Sequence, residues 1–264
     1  MIKTLKNIKN QEKGKSTIPK SVQEVIPIKK IYSDGIFLVG KNKYSIMYRF
    51  TDINYAVASK EDKETMFLDY SELLNSFDSG ATTKITIALR RINKQDFKKD
   101  ILLKFKEDGL DIYRQEYNQM LLDKSVNANG MVREIYLTIS IFKKSYEDAK
   151  IYFRRISNDI ISHLSKLGSK CCQLNLNDRL KILHDFYRIG EESNFNFDLK
   201  NEMKRGHNFK DYICPDSFSF KSDYFEMGNK VGRVLFLKDY ASYIKDSMVS
   251  ELTDMNQNMM MSID

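Results

Sequence analysis

The 264-residue chain is 42% hydrophobic and 30% charged, a balance that excludes a disordered polymer and fits one large domain or two small ones. No apolar run reaches the roughly 20 residues a membrane span requires, and no signal peptide opens the sequence. The formal charge of +7 is moderate, and suggests an acidic partner such as nucleic acid or an anionic membrane surface without showing one.

Residues 1–30 read as a basic arm carrying Lys3, Lys6, Lys9, Lys13, Lys15, Lys20, Lys29 and Lys30. Ile2, Leu5 and Ile8 fall on one side of a short helix that could graze a membrane or a neighbouring subunit. The plainer reading is a solvated terminus. Gly14-Lys15-Ser16-Thr17 mimics the end of a phosphate-binding loop. The motif needs glycine where Lys9 stands, and a buried strand before it, so that reading fails.

The folded part is expected from Asp34. Residues 36–39 and 44–50 are strand-like runs around Gly40-Lys41-Asn42-Lys43, a hairpin signal. Ser59 and Asp62 open a helix to about residue 77, striped by Met66/Phe67, Tyr70, Leu73/Leu74 and Phe77. Ser79-Gly80 stops it, and Ile85, Ile87 and Leu89 alternate in the next strand. A helical pair is predicted over 94–106, lined by Phe97, Ile101 and Phe105, and over 110–124, lined by Tyr113, Tyr117 and Met120/Leu121. After a turn at 127–130, Ile135, Leu137, Ile139 and Ile141 alternate in a strand. Ser145 and Asp148 then cap a long helix carrying Ala149, Tyr152/Phe153, Ile156, Ile160, Leu164 and Leu167. A short strand at 171–174 precedes a helix capped by Asn177 and ending at Gly190. A connector holds a short helix at 199–205. Phe218 and Phe220 open a strand that turns at Gly228-Asn229-Lys230. Strand 234–237, helix 240–254 and a strand at 259–263 close the sequence, the last ending without a turn, cap or polar tail.

Hairpin, helix and strand therefore occur twice, from Asp34 and from Asp223. An internal duplication explains this, and so does chance likeness of two common ββαβ runs. The expected fold class is α+β: mixed sheets from repeated ββαβ, ferredoxin-like passes with an inserted helical pair. The divisions expected are the arm 1–30, a first unit 31–192, a connector 193–216, and 217–264 as the start of a second related unit, cut short and packed on the first.

No constellation of residues identifies an active site, and no catalytic, cofactor-binding or metal-binding residue is assigned. His207, Asp211 and Cys214 lie close together and invite a nucleophile–base reading, but a structural loop around Pro215 fits as well with less assumed. Cys171, Cys172 and Cys214 lack metal-site spacing and read as reduced thiols of a cytoplasmic protein. His184 shares the core face of its helix with Leu180, Leu183 and Tyr187. Glu191-Glu192 reads as solvated. In KIYFRRIS, residues 150–157, the aromatics fill the core stripe and Arg154 and Arg155 face solvent.

Five stretches carry a family resemblance: residues 49–87, 116–130 (EYNQMLLDKSVNANG), 167–192 (LGSKCCQLNLNDRLKILHDFYRIGEE), 207–220 (HNFKDYICPDSFSF) and 232–264. Together they resemble the amino-terminal region of VirB/TrbE/CagE-type conjugal transfer ATPases, in the versions carried by conjugative elements of Gram-positive bacteria. The resemblance implies a cytoplasmic motor, peripheral at the cell membrane, of a type IV secretion system. In that family ATP and magnesium belong to a carboxy-terminal domain, whose lysine and acidic pair have no counterpart here. The expectation is a non-catalytic assembly and docking domain, without a cofactor. Its partners would be other secretion components at the inner membrane face, together with self-association. The alternative is a basic module that contacts transferred nucleic acid.

Overall fold

In the computed structural model, which describes residues 20–53, 55, 57–91, 102–127, 131–239, 242, 243 and 245–264, the chain enters the fold earlier than expected. A single helical turn, α1 (Val22–Val25), leads to the short strands β1 (Lys30–Ile31) and β2 (Phe37–Leu38). Ile26 and Ile28 between them are buried, so the arm, expected to reach residue 30, yields to folded chain by residue 22. The predicted hairpin follows, with Asn42 in the left-handed region (φ 58°) and Val39 N–H bonded to Lys43 C=O.

The centre is built from β3 (Lys43–Phe50), α2 (Lys60–Asn75), β4 (Thr82–Arg91), β5 (Met131–Phe142), α4 (Tyr146–Lys166) and β6 (Cys171–Gln173), with α3 (Asp111–Asn127) inserted after β4. Local chemistry starts both covering helices as expected: the Ser59 and Ser145 hydroxyls accept from the Asp62 and Asp148 N–H groups, each at 3.1 Å. The strands lie in the order β6, β3, β5, β4, every neighbour antiparallel. Each helix thus joins two strands with a third between them, the split βαβ order. The free edge of β3 is shared, its first residues pairing with β2 and its last with β6.

Period-two alternation gives this sheet two different faces. Tyr44, Ile46 and Tyr48 of β3 and Leu137, Ile139 and Ile141 of β5 point under α2 and α4. They meet Leu73 and the α4 stripe Ala149, Tyr152, Phe153, Ile156, Ile160 and Leu164. At about 1.5–3 kcal/mol per large side chain fully buried, this is the main stabilising block.

The opposite face is crossed by α5 (Leu176–Tyr187), capped by Asn175 rather than Asn177, because the Asn175 side chain reaches Asp178 N–H at 3.0 Å. Leu176 and Leu180 pack with Ile26, Ile28, Phe37, Phe197, Ile213 and Cys214, so the N-terminal segment and the helices α6 (Leu199–Arg205) and α7 (Lys210–Ile213) join a second core. Beyond them β7 (Phe218–Phe220), β8 (Phe225–Met227) and β9 (Lys230–Gly232) form a small antiparallel sheet.

The class is α+β, but the closing residues behave differently from the expected second unit. After α8 (Asp246–Thr253), the strand β10 (Met259–Ile263) pairs antiparallel with β4, from Met259 opposite Leu89 to Ile263 opposite Ile85. It extends the first sheet instead of opening another, and the split order is formed once among the described residues.

Other element expectations also differ from the structure or fall outside the described residues. The helix predicted over 94–106 falls largely on residues outside the described set, and 102–106 are not helical. The α3 stripe expected to line a core stays exposed at Tyr113, Tyr117 and Met120. Residues 234–237 form no strand, since β9 ends at Gly232 and no described strand pairs with them. The last helix is correspondingly shorter than 240–254.

Candidate functional site

Each residue group that invited chemistry now has a place. His207 bonds through Nδ1 to Glu202 Oε2 at 2.9 Å. Asp211 accepts from Asn208 N–H and from Gln23. Cys214 is buried in the second core, and burial pushes its thiol pKa up. No hydrogen bond joins His207 to Cys214 among the described residues. A protonated, buried thiol is the reverse of an activated nucleophile.

His184 is buried as its helix face requires, its Nδ1 3.3 Å from Asp185 Oδ1 and its ring tilted against Phe195. Glu191 accepts from Arg188 Nε at 2.8 Å, and Glu192 from Gly190 N–H at 2.9 Å, so this pair is half-buried and engaged instead of solvated. Arg154 and Arg155 face outward beside buried Tyr152 and Phe153. The Gly14–Thr17 stretch lies outside the described residues. Cys171 and Cys172 sit on β6, and burial drives the Cys171 thiol up to about 11. Among the described residues, no cluster of His, Cys, Asp and Glu could hold a metal ion.

A polar network missed by sequence reasoning lies on the second sheet face. Glu134 of β5 accepts from Arg90 Nε at 2.9 Å and from the Tyr136 hydroxyl at 2.9 Å, and pairs with Arg49 at 3.5 Å. Alternation along β5 placed these residues opposite the apolar set, which was the available signal. The network lines a cleft of about 1040 Å³ beside α5. Arg49, Arg90, Arg91 and Lys181 are matched there by Glu134, Asp178, Asp185 and Glu192, which leaves no excess charge to attract an ion.

Among the described residues, the longest run of exposed large apolar side chains follows the small sheet. Val234, Leu235, Phe236 and Leu237 are 64–86% exposed, and Val231 on β9 and Phe220 on β7 are exposed as well. Four consecutive large apolar side chains in water are unusual on a folded surface, where such runs often mark contact sites. This run is the candidate functional site. The chain matches no protein-family model and no curated protein.

Proposed function

We propose that this chain is a non-catalytic assembly and docking domain whose working surface is the apolar run Val234–Leu237. The exposure of that run carries the reading, because a segment free to fold inward would otherwise hide it. The resemblance to conjugal transfer ATPases supplies the setting: a type IV secretion system, with the domain peripheral at the inner membrane face and docked on a protein component of the apparatus. Among the described residues no helix is long and apolar enough to cross a membrane.

The nucleic-acid alternative finds less support. Arg49, Arg90, Arg114, Arg133, Arg155 and Arg188 are each ion-paired with carboxylates, so they form no stripe open to phosphates.

The test replaces Val234, Leu235, Phe236 and Leu237 together by serine. Urea stability is expected to hold, since the side chains are already in water. Co-purification with the secretion components and the DNA-transfer frequency of the encoding element are expected to collapse. Unchanged association and transfer would overturn the reading, as would ATP turnover by the purified chain above background.

A further inference from the structure

On the other side of α5 from the Glu134 network lies a second cleft, of about 510 Å³, within the size range of small-molecule sites. Its floor is the second face of the sheet. Strand register aligns Ser45, Ser140 and Thr82 in one cross-strand row, with Thr138 opposite Lys84 in the next. All five side chains line the cleft.

Arg179 enters from α5 and is only 6% exposed. Its Nη1 donates to the backbone carbonyls of Gly35 at 2.6 Å and Ser45 at 2.8 Å, and its Nη2 to Ser45 Oγ at 3.0 Å. The guanidinium sits 3.9 Å over the Phe37 ring. A guanidinium has five N–H donors, so these three bonds leave two, and every acceptor is neutral. Burial pushes its ionisation down to about 9, which still leaves it cationic at neutral pH. Lys43 lines the same cleft, and the one carboxylate side chain there, Asp264, is held by Lys84 at 3.1 Å.

Three cationic side chains thus face one carboxylate side chain, and among the described residues the most buried cation has no anionic partner. An uncompensated buried charge is costly, and a bound anion would relieve it. Ser45 accepts from Arg179 and keeps its own proton to donate. Ile28, Phe37 and Val39 add an apolar wall, suited to an organic group more than to a bare ion. We propose that this cleft binds a small phosphomonoester, its phosphate held by Arg179, Lys43 and Lys84 and by the hydroxyl row, its organic part against the apolar wall. Two oxygens of a phosphate match the planar fork of an arginine. The inference stands apart from the docking reading, which uses other residues.

The experiment is calorimetric titration of the purified chain in phosphate-free buffer with inorganic phosphate, adenosine monophosphate and glycerol phosphate, at matched ionic strength. Saturable binding is expected, with at least one ester tighter than inorganic phosphate; the preferred ester identifies the organic part. Lys43→Gln and Lys84→Gln alter partly exposed side chains and should each weaken binding roughly tenfold. Arg154→Gln makes the same charge change on exposed α4 surface and should leave affinity unchanged. Absence of saturable binding by all three probes overturns the proposal, as does equal weakening by Arg154→Gln.

Discussion

The hydroxyls of Tyr48 on β3 and Ser157 on α4 share a hydrogen bond of 2.6 Å between the sheet and its covering helix. Tyr48 is fully buried, and burial drives its phenol pKa up to about 12. Folding therefore favours the neutral phenol. Its contribution is complete below the ordinary value near pH 10 and is lost as pH rises from there through about 12. Tyr48→Phe should cost about 1 kcal/mol at neutral pH and flatten the alkaline loss of stability. Urea unfolding on both sides of pH 10 measures both effects.

Gly35 sits at φ +82°, and a Cβ there would lie 2.4 Å from the Leu174 carbonyl oxygen. Neither the left-handed backbone nor the rigid neighbour accommodates a side chain. Gly35→Ala should lower stability by about 2 kcal/mol or more, whereas Gly80→Ala, with nothing within 4 Å, should change it little. Paired denaturation curves decide the matter.

Arg179 fastens α5 to β3 and to the Gly35 loop. Arg179→Ala leaves a void and two carbonyls without their donor, at a cost of about 3 kcal/mol. Arg179→Met removes the same charge and the same hydrogen bonds but fills the volume, so the loss should be about half as large. Equal losses in the two variants, measured by urea unfolding, would show that volume contributes nothing.

For the Glu134 carboxyl, burial acts to raise the pKa, but the Arg90 hydrogen bond and charge, with Tyr136 and Arg49, outweigh it and hold the value below normal. The linked stability is present above the ordinary carboxylate value and disappears as pH falls through the lower folded one. Glu134→Gln should cost about 1–2 kcal/mol at neutral pH and remove part of the acid-induced loss. Thermal unfolding scanned from neutral to acid pH gives both numbers.

What the sequence discloses divides by distance along the chain. The Ser59 and Ser145 caps, the Gly40–Lys43 hairpin and the α4 stripe depend on neighbours within a turn or two, and they stand where the pattern put them. The burial of Ile26 and Ile28 depends on Leu180 and Ile213, far along the chain, and left no local sign. Arg179 reads as one more surface charge until Gly35 and Ser45 bring carbonyls to it. The run at 234–237 has strand composition but no strand beside it, so composition alone misleads there. The Lys43–Lys84 cleft joins four strands and a helix, a coincidence only the topology reveals.

The seam between β4 and β10 also has a consequence during synthesis. Thr86 and Ser262, whose hydroxyls meet at 3.0 Å across it, are separated by 176 positions. A ribosome adding about 5–20 residues per second keeps Thr86 waiting on the order of ten seconds or longer for that neighbour. Until β10 is made it cannot cover the outer rim of β4, and an uncovered strand edge is a template for pairing with another chain. Chaperone dependence of the newly made protein should therefore track the translation rate of its final third.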